Sequence, residues 1–445
     1  MSVRVDETGL LPLLPVVGAG QQVPLVDGGS ARSVNLDYAA SSPALASVAA
    51  HVTDVLPLYA SVHRGAGYLS QVSTAAYEHA RQVVGDFVGA RQDDLVVFTR
   101  NTTDSLNLLA SVVPGETVVL DIEHHANLLP WVSDAARVVR SGETVEETLR
   151  RVDEELGSRR AALLAVTGAS NVTGETLPLR RLATIAHRHG TRLAVDGAQL
   201  VPHRRVGVAF DGVDYLAFSG HKTYAPFGAG VLVGRRDWLD RGEPYLRGGG
   251  AVSTVTLDSA SWRVGPARHE GGSPNVLGVV ALAKAVQELS ALDGDRWAEH
   301  ERALRERLVA GLETLPEVRI HRLFPDAEDA VGVVSFSIDG FDARLVATVL
   351  SAEWGIGVRD GKFCAHPLLE RLGVDGPALR ASVGVGSTSA DVDALLGALR
   401  SILAEGPRCT YELVDGQFVP ADDLRPRPDW APVLDPSLTS YGCAA

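Results

Sequence analysis

Between Leu95 and Gly234 the chain alternates short Val/Leu-rich apolar runs with amphipathic stretches, and this alternation restricts the fold more than any other feature. The apolar runs are Leu95 to Phe98, Thr117 to Leu120, Ala161 to Val166, Arg192 to Asp196, Val213 to Ser219 and Ala229 to Gly234. Each is too short for a helix and too continuously apolar for a strand with one wet face, which predicts strands buried on both sides. Helical periodicity between them, as in Leu179 to His189, predicts crossover connections and hence an α/β, doubly wound, mainly parallel sheet.

After Asn275 the texture changes. Two long helical patterns, Val276 to Leu292 and Arg296 to Leu315, precede shorter strand patterns at Val318 to Leu323 and Gly332 to Ile338 and a helix from Ala343 to Glu353, which predicts a smaller α+β domain. The expected division is an N-terminal arm (1–35), a large domain (36–290), a small C-terminal domain (291–404) and a tail (405–445). The arm and the tail are rich in Pro, Gly and Asp, as segments wrapped over a body or loosely held tend to be.

The placement of two reactive residues is specific. Asp196 ends one apolar run, and Lys222 follows the next, in Ser219-Gly220-His221-Lys222-Thr223-Tyr224. Both therefore fall on the carboxyl rim of a parallel sheet, where open α/β sheets bind ligands. An amine that captures an aldehyde and an acid that faces a ring nitrogen are what pyridoxal phosphate (PLP) requires, because a protonated pyridine ring is the stronger electron sink. A lysine in that role needs a partly desolvated site that keeps it nucleophilic.

Composition excludes several classes. The net charge is -14, from 41 basic and 55 acidic residues, and no Lys/Arg cluster is long enough to track a phosphate backbone, so nucleic acid is not an expected partner. The apolar start from Met1 to Gln21 is broken by Pro12 and Pro15 and carries Asp6 and Glu7, which argues against a signal peptide or a spanning helix and predicts a cytoplasmic location without membrane contact. Cys364, Cys409 and Cys443 have no short-range pairing, so neither a disulfide framework nor a metal site is expected. No G-x-G-x-x-G follows a strand and opens a helix, which leaves a dinucleotide fold without support.

A set of separated segments carries a family resemblance. They are Asn35-Leu36-Asp37-Tyr38-Ala39-Ala40, Ser61-Val62-His63-Arg64-Gly65, Asn101-Thr102-Thr103, Glu123-His124-His125-Ala126-Asn127, Asp196-Gly197-Ala198-Gln199, Ser219-Gly220-His221-Lys222, Gly271-Gly272-Ser273-Pro274-Asn275, Arg359-Asp360-Gly361-Lys362-Phe363-Cys364 and Leu379-Arg380-Ala381-Ser382. In this order they resemble the group II cysteine desulfurases and selenocysteine lyases of the class V aminotransferase superfamily, PLP enzymes of fold type I. The resemblance runs from about residue 35 to 404.

The resemblance implies a role for each residue. Lys222 would hold the cofactor aldehyde, Asp196 would pair with the ring nitrogen, Gln199 would bond the phenolic oxygen, and His124 would stack on the ring and relay protons. Thr102, Thr103, Ser219 and His221 would bind the phosphate, as a helix start can, joined by Gly272 and Ser273 of a second subunit, which implies a homodimer. Arg380 would clamp the substrate carboxylate, and Asn171 would bond that group or the cofactor. Ala39, His63 and Arg64 would line the substrate entrance. Cys364 would be the nucleophile that takes sulfur or selenium from a small amino acid, cysteine or selenocysteine, as a persulfide and leaves alanine. A sulfur-acceptor protein is an open further partner.

Two departures from the family stand out. Histidines usually precede the family's nucleophile, whereas this chain has Lys362 and Phe363. The stretch after Arg380 is small (Val383-Gly384-Val385-Gly386-Ser387) where the family tends to be aromatic, which predicts a roomier pocket. That room keeps an alternative open: another class V chemistry, such as C–S lysis, transamination or epimerisation, on a larger amino acid.

Overall fold

The computed structural model describes residues 5–6, 9–63, 65–131 and 136–431. Its centre is a seven-stranded sheet of β1 (Asp94–Thr99), β2 (Thr117–Leu120), β3 (Ala136–Val139), β4 (Leu163–Thr167), β5 (Arg192–Asp196), β6 (Tyr215–Ser219) and β7 (Gly230–Arg235), in spatial order β1-β7-β6-β5-β4-β2-β3. Strand β7 runs antiparallel to both its neighbours, and the other six run the same way.

The alternation of side chains along each strand explains why these runs are apolar throughout. Leu164 and Val166 of β4, Leu193 and Val195 of β5, and Leu216 and Phe218 of β6 enter one buried cluster. Their neighbours Leu163, Ala165, Ala194, Tyr215 and Ala217 enter another. Both faces are dry, which is the condition for a parallel sheet. At about 1.5–3 kcal/mol for each fully buried Val, Leu or Phe, these two layers supply the main driving force for folding.

A second sheet contains β8 (Val318–Ile320), β9 (Val333–Ile338), β10 (Arg359–Gly361) and β11 (Ala378–Ser382), in the order β8-β9-β11-β10 with every pair antiparallel. Its apolar cluster also takes in Val34 and Leu36, so the segment leading into Asp37 is anchored here. Val34–Asn35 in turn pairs with Ile356–Gly357.

Both ends of the described chain lie against the body. Leu13 N–H donates to Val385 O at 2.8 Å, and Arg32 Nη2 lies 2.6 Å from Asp391 Oδ1. After the last long helix (Ser389–Glu405), a hairpin of Tyr411–Val414 and Gln417–Pro420 follows. Glu353 holds its start by accepting from the Arg408 and Cys409 amides and from Tyr411 Oη.

Two sequence expectations need adjustment. Strand β3 was not predicted; it is a partly exposed edge without a continuous apolar run. The small residues after Arg380 do not enlarge the pocket. A Cβ on Gly384 would come within 2.4 Å of Tyr224 Oη, and one on Gly386 would come within 2.6 Å of a Val16 methyl. Tyr38, Tyr224 and Val16 fill the space that larger residues would need, so the smallness serves packing. No helix among the described residues is long and apolar enough to cross a membrane.

Candidate active site

The carboxyl ends of the parallel strands and two strands of the small sheet, β10 and β11, surround a cavity of about 370 Å³. Thr102 and Thr103 come from the helix after β1, His124 from the turn after β2, Asn171 from the turn after β4, and Asp196 and Gln199 from the end of β5. Ser219, His221 and Lys222 follow β6, and Arg380 enters from β11. Ala39 and Cys364 complete the predicted residues that line it. His63, Gly272 and Ser273 do not line it, and Arg64 falls outside the described residues.

Lys222 is held by a tight turn. Gly220 N–H donates to Ala229 O at 2.7 Å, and a Cβ on Gly220 would sit 3.0 Å from that oxygen and 3.2 Å from Ala225 O, so a larger residue would have to open the turn. Burial lowers the Lys222 pKa to about 8. Asp196, Cys364 and Asp37 partly oppose that shift, and Arg380 adds to it. A sizeable fraction of the amine is therefore neutral near pH 8, as a nucleophile requires. Asp196 is buried, accepts the Ala198 N–H at 2.9 Å, and has its pKa raised by burial against the pull of Ala198 and Lys222.

His124 caps the short helix α1 (His125–Leu128), with Nδ1 accepting the Ala126 N–H at 3.0 Å. Its one proton therefore rides on Nε2. Burial, with Lys222, His125 and Arg380 nearby, lowers its pKa to about 3, so the imidazole is neutral. Behind it, Trp131 Nε1 donates to Asn127 Oδ1 at 3.1 Å, which fixes the Asn127 amide so that its Nδ2 donates to Glu123 Oε2 at 2.6 Å. Thr167 N–H donates to the other Glu123 oxygen at 3.0 Å. A fully buried acid thus ties α1 to β4, the strand that pairs Thr167 with Asp196.

At the other end of the cavity, helix α2 (Thr102–Val112) begins at the carboxyl end of β1, capped by Asn101 Oδ1, which accepts the Asp104 N–H at 3.0 Å. Ser219 Oγ accepts the Thr102 N–H at 2.7 Å and lies 2.6 Å from Thr102 Oγ1. Helix starts concentrate positive potential, and these hydroxyls suit an anion. Burial and the neighbouring Lys222 lower the His221 pKa to about 4, which makes it a neutral neighbour.

The rim opposite α2 is crowded with charge. Arg380 is buried, donates from Nη1 to Asn171 O at 2.9 Å, and meets Asp37 Oδ1 at 3.1 Å from Nη2, while its Nε has no partner. Arg359 lies directly opposite Arg380 in the sheet and also lines the cavity. Two cationic side chains side by side disfavour each other unless an anion lies between them. Gln199 Nε2 donates to Ala39 O at 2.7 Å, and its buried Oε1 has no partner in the chain.

Cys364 is presented on a constrained turn. Phe363 and Cys364 have φ of 54° and 53°, in the left-handed region that residues with a Cβ rarely occupy. Asn171 Nδ2 donates to Phe363 O at 2.7 Å and His125 N–H to Cys364 O at 2.8 Å, and these two bonds hold the turn. Sequence reasoning gave Asp37, Arg359 and Phe363 no role. Their signal was membership of the quoted segments and, for Phe363, its place where the family usually carries a histidine. No group of three or more potential metal ligands occurs among the described residues.

Residues 34–395 match the family model described as Aminotransferase class-V. A cysteine desulfurase from Klebsiella pneumoniae (strain 342) is 37% identical over 358 residues, covering 77% of this chain and 86% of that protein. A probable cysteine desulfurase from Mycolicibacterium paratuberculosis is 35% identical over 358 residues, and the matched region spans 51% of that relative's length. The apo structure of a cysteine desulfurase from Thermococcus onnurineus NA1 superposes with a TM-score of 0.79 at 32% identity, covering 91% of this chain and 99% of that one.

Proposed function

The chain belongs to the class V aminotransferase family, and on that basis we propose that it is a PLP-dependent cysteine desulfurase that converts L-cysteine to L-alanine and passes the sulfur to Cys364. One observation carries the reading: Lys222, Asp196 and Cys364 line a single cavity, with the sulfur within electrostatic reach of both Lys222 and Arg380.

The residues fit the cofactor. A partly neutral buried amine, a buried acid, a neutral imidazole and a hydroxyl-rich helix start are the donor set that an aldehyde-bearing, phosphorylated pyridine requires, and the partnerless Gln199 Oε1 marks a polar position that the chain itself leaves unfilled. Lys222 would hold the aldehyde carbon, Asp196 the ring nitrogen, Gln199 the phenolic side, and Thr102, Thr103, Ser219 and His221 the phosphate. Once bound, PLP supplies an electron sink for the substrate α carbon.

The chain's own groups do the rest. Arg380, with its unfilled Nε, takes the substrate carboxylate. Neutral His124 would face the ring and offers its Nε2 proton. Lys222 Nζ carries the proton at the α carbon. Cys364 Sγ bonds to the substrate sulfur as the carbon–sulfur bond breaks, so a thiol and cysteine become a persulfide and alanine. A dithiol reductant then releases sulfide and regenerates the thiol. A homodimer in which Gly272 and Ser273 complete the partner's phosphate site accounts for their absence from the cavity of their own chain.

The reading is tested by adding L-cysteine to the PLP-loaded protein with dithiothreitol and following cofactor absorbance, alanine and sulfide together. Alanine and sulfide should appear in equal amounts. A spectral change without either product would exclude it. The alternative, a larger amino-acid substrate, loses its motive, because Gly384 and Gly386 are covered by Tyr224, Tyr38 and Val16.

A further inference from the structure

Phe363 stands where the resemblance leads one to expect a histidine, and its surroundings give it a defined place in the site. The Arg380 guanidinium carbon lies 5.1 Å from the centre of the Phe363 ring. The same guanidinium donates to Asn171 O, and the Asn171 side chain donates to Phe363 O. Arg380, Asn171 and Phe363 thus form a closed loop of contacts. The next residue along is Cys364, on a backbone that stays in the left-handed region only while its neighbours hold it there. The loop is buried: Phe363 is 5% exposed, Asn171 7% and Arg380 3%. A desolvated cation–aromatic contact is stronger than an exposed one, and a guanidinium stacked on a ring keeps its edge free for an anion.

We propose that Phe363 is a positioning residue that couples anion binding at Arg380 to the placement of the Cys364 thiol. An anion on the unfilled Nε edge redistributes the guanidinium's hydrogen bonds, and the movement reaches Cys364 through the ring below and through Asn171. A histidine in this position would add an ionisable group beside the thiol. Phenylalanine instead transmits position and leaves proton handling to other residues. The inference rests on the proposed reading of Cys364 as the sulfur-accepting thiol.

The test measures alkylation of Cys364 by iodoacetamide in the full-length, PLP-loaded chain, with and without saturating L-alanine. The Cys364 peptide is followed by mass spectrometry so that Cys409 and Cys443 do not contribute, and L-alanine saturation is read from cofactor absorbance. L-Alanine should change the alkylation rate roughly tenfold in the wild type and in Phe363→Tyr, the factor expected when a buried cation–aromatic contact is perturbed. In Phe363→Leu the change should shrink to about twofold or less although L-alanine still binds. Should Phe363→Leu fold poorly, Phe363→Met, which keeps an apolar side chain of similar size but removes the ring, carries the same expectation. An equal change in Phe363→Leu, as simple shielding by L-alanine would give, or no change in the wild type, overturns the proposal. Coupling that persists while L-cysteine yields no alanine or sulfide would leave the proposal standing and remove the desulfurase reading alone.

Discussion

Asp37 Oδ1 lies 3.1 Å from Arg380 Nη2, so an acid of the chain itself occupies part of the guanidinium that a substrate carboxylate would use. Burial raises the Asp37 pKa, and Arg380, Arg359 and Lys222 pull it back towards the ionised form. A substrate carboxylate that reaches from the unfilled Nε to Nη2 must therefore displace Asp37. Asp37→Asn keeps an oxygen for Arg380 but removes the competing charge. It should tighten L-alanine binding roughly tenfold, about 1.4 kcal/mol, measured by absorbance titration of the cofactor-loaded protein.

The Lys222 amine sets a pH dependence of cofactor capture. Below its pKa of about 8 the amine is mostly protonated and unreactive. The rate at which cofactor-free protein takes up PLP should rise about tenfold per pH unit below that value and level off above it. Asp196 holds the pKa up, so Asp196→Asn should move the start of the plateau to lower pH. Stopped-flow absorbance against pH reads both.

Cys364→Ala should leave the cofactor spectrum intact and lower alanine and sulfide formation from L-cysteine by roughly two orders of magnitude or more, as loss of a covalent nucleophile does. Full turnover by this variant would exclude the thiol step.

Glu123 gathers two buried N–H groups, from Asn127 and Thr167, against the desolvation that pushes its own pKa well above the ordinary carboxylate range. Glu123→Ala strands both donors in a dry site. Stability should fall by about 2–5 kcal/mol, read as a lower urea midpoint with an unchanged slope.

Gly230 lies beneath the start of α2, where a Cβ would come within 2.5 Å of Asn101 backbone atoms. Gly230→Ala must push the helix start away from Ser219. It should weaken PLP retention at least about tenfold, by analogy with misplaced positioning groups elsewhere, while Gly248→Ala, with nothing within 4 Å of the added methyl, should have no effect. Equilibrium dialysis of the cofactor compares the two.

The large sheet was legible because its strands are buried on both faces: Thr117–Leu120 and Arg192–Asp196 have the ends that the apolar runs predict. Strand β3 was hidden because an edge strand needs no continuous apolar run, and Val138 is half exposed. Strand β11 was read only as a motif, because its buried Arg380 and Ser382 break the apolar pattern. Within the site, most of the residues named from short segments line one cavity, whereas His63, Gly272 and Ser273 do not. The bonds that hold the Cys364 turn were invisible, because Asn171 reaches Phe363 across nearly two hundred positions of chain. The small residues after Arg380 were misread for the same reason: the side chains that fill their space belong to remote segments.

Strand β7 turns back directly after β6, so residues 219–230 close on themselves at the rim where every other consecutive strand pair of the large sheet is linked through a longer crossover. The reactive amine therefore hangs on the tether with the least slack. A residue added to or removed from that short tether would shift Lys222 directly, whereas the long crossovers can absorb length changes far from the chemistry.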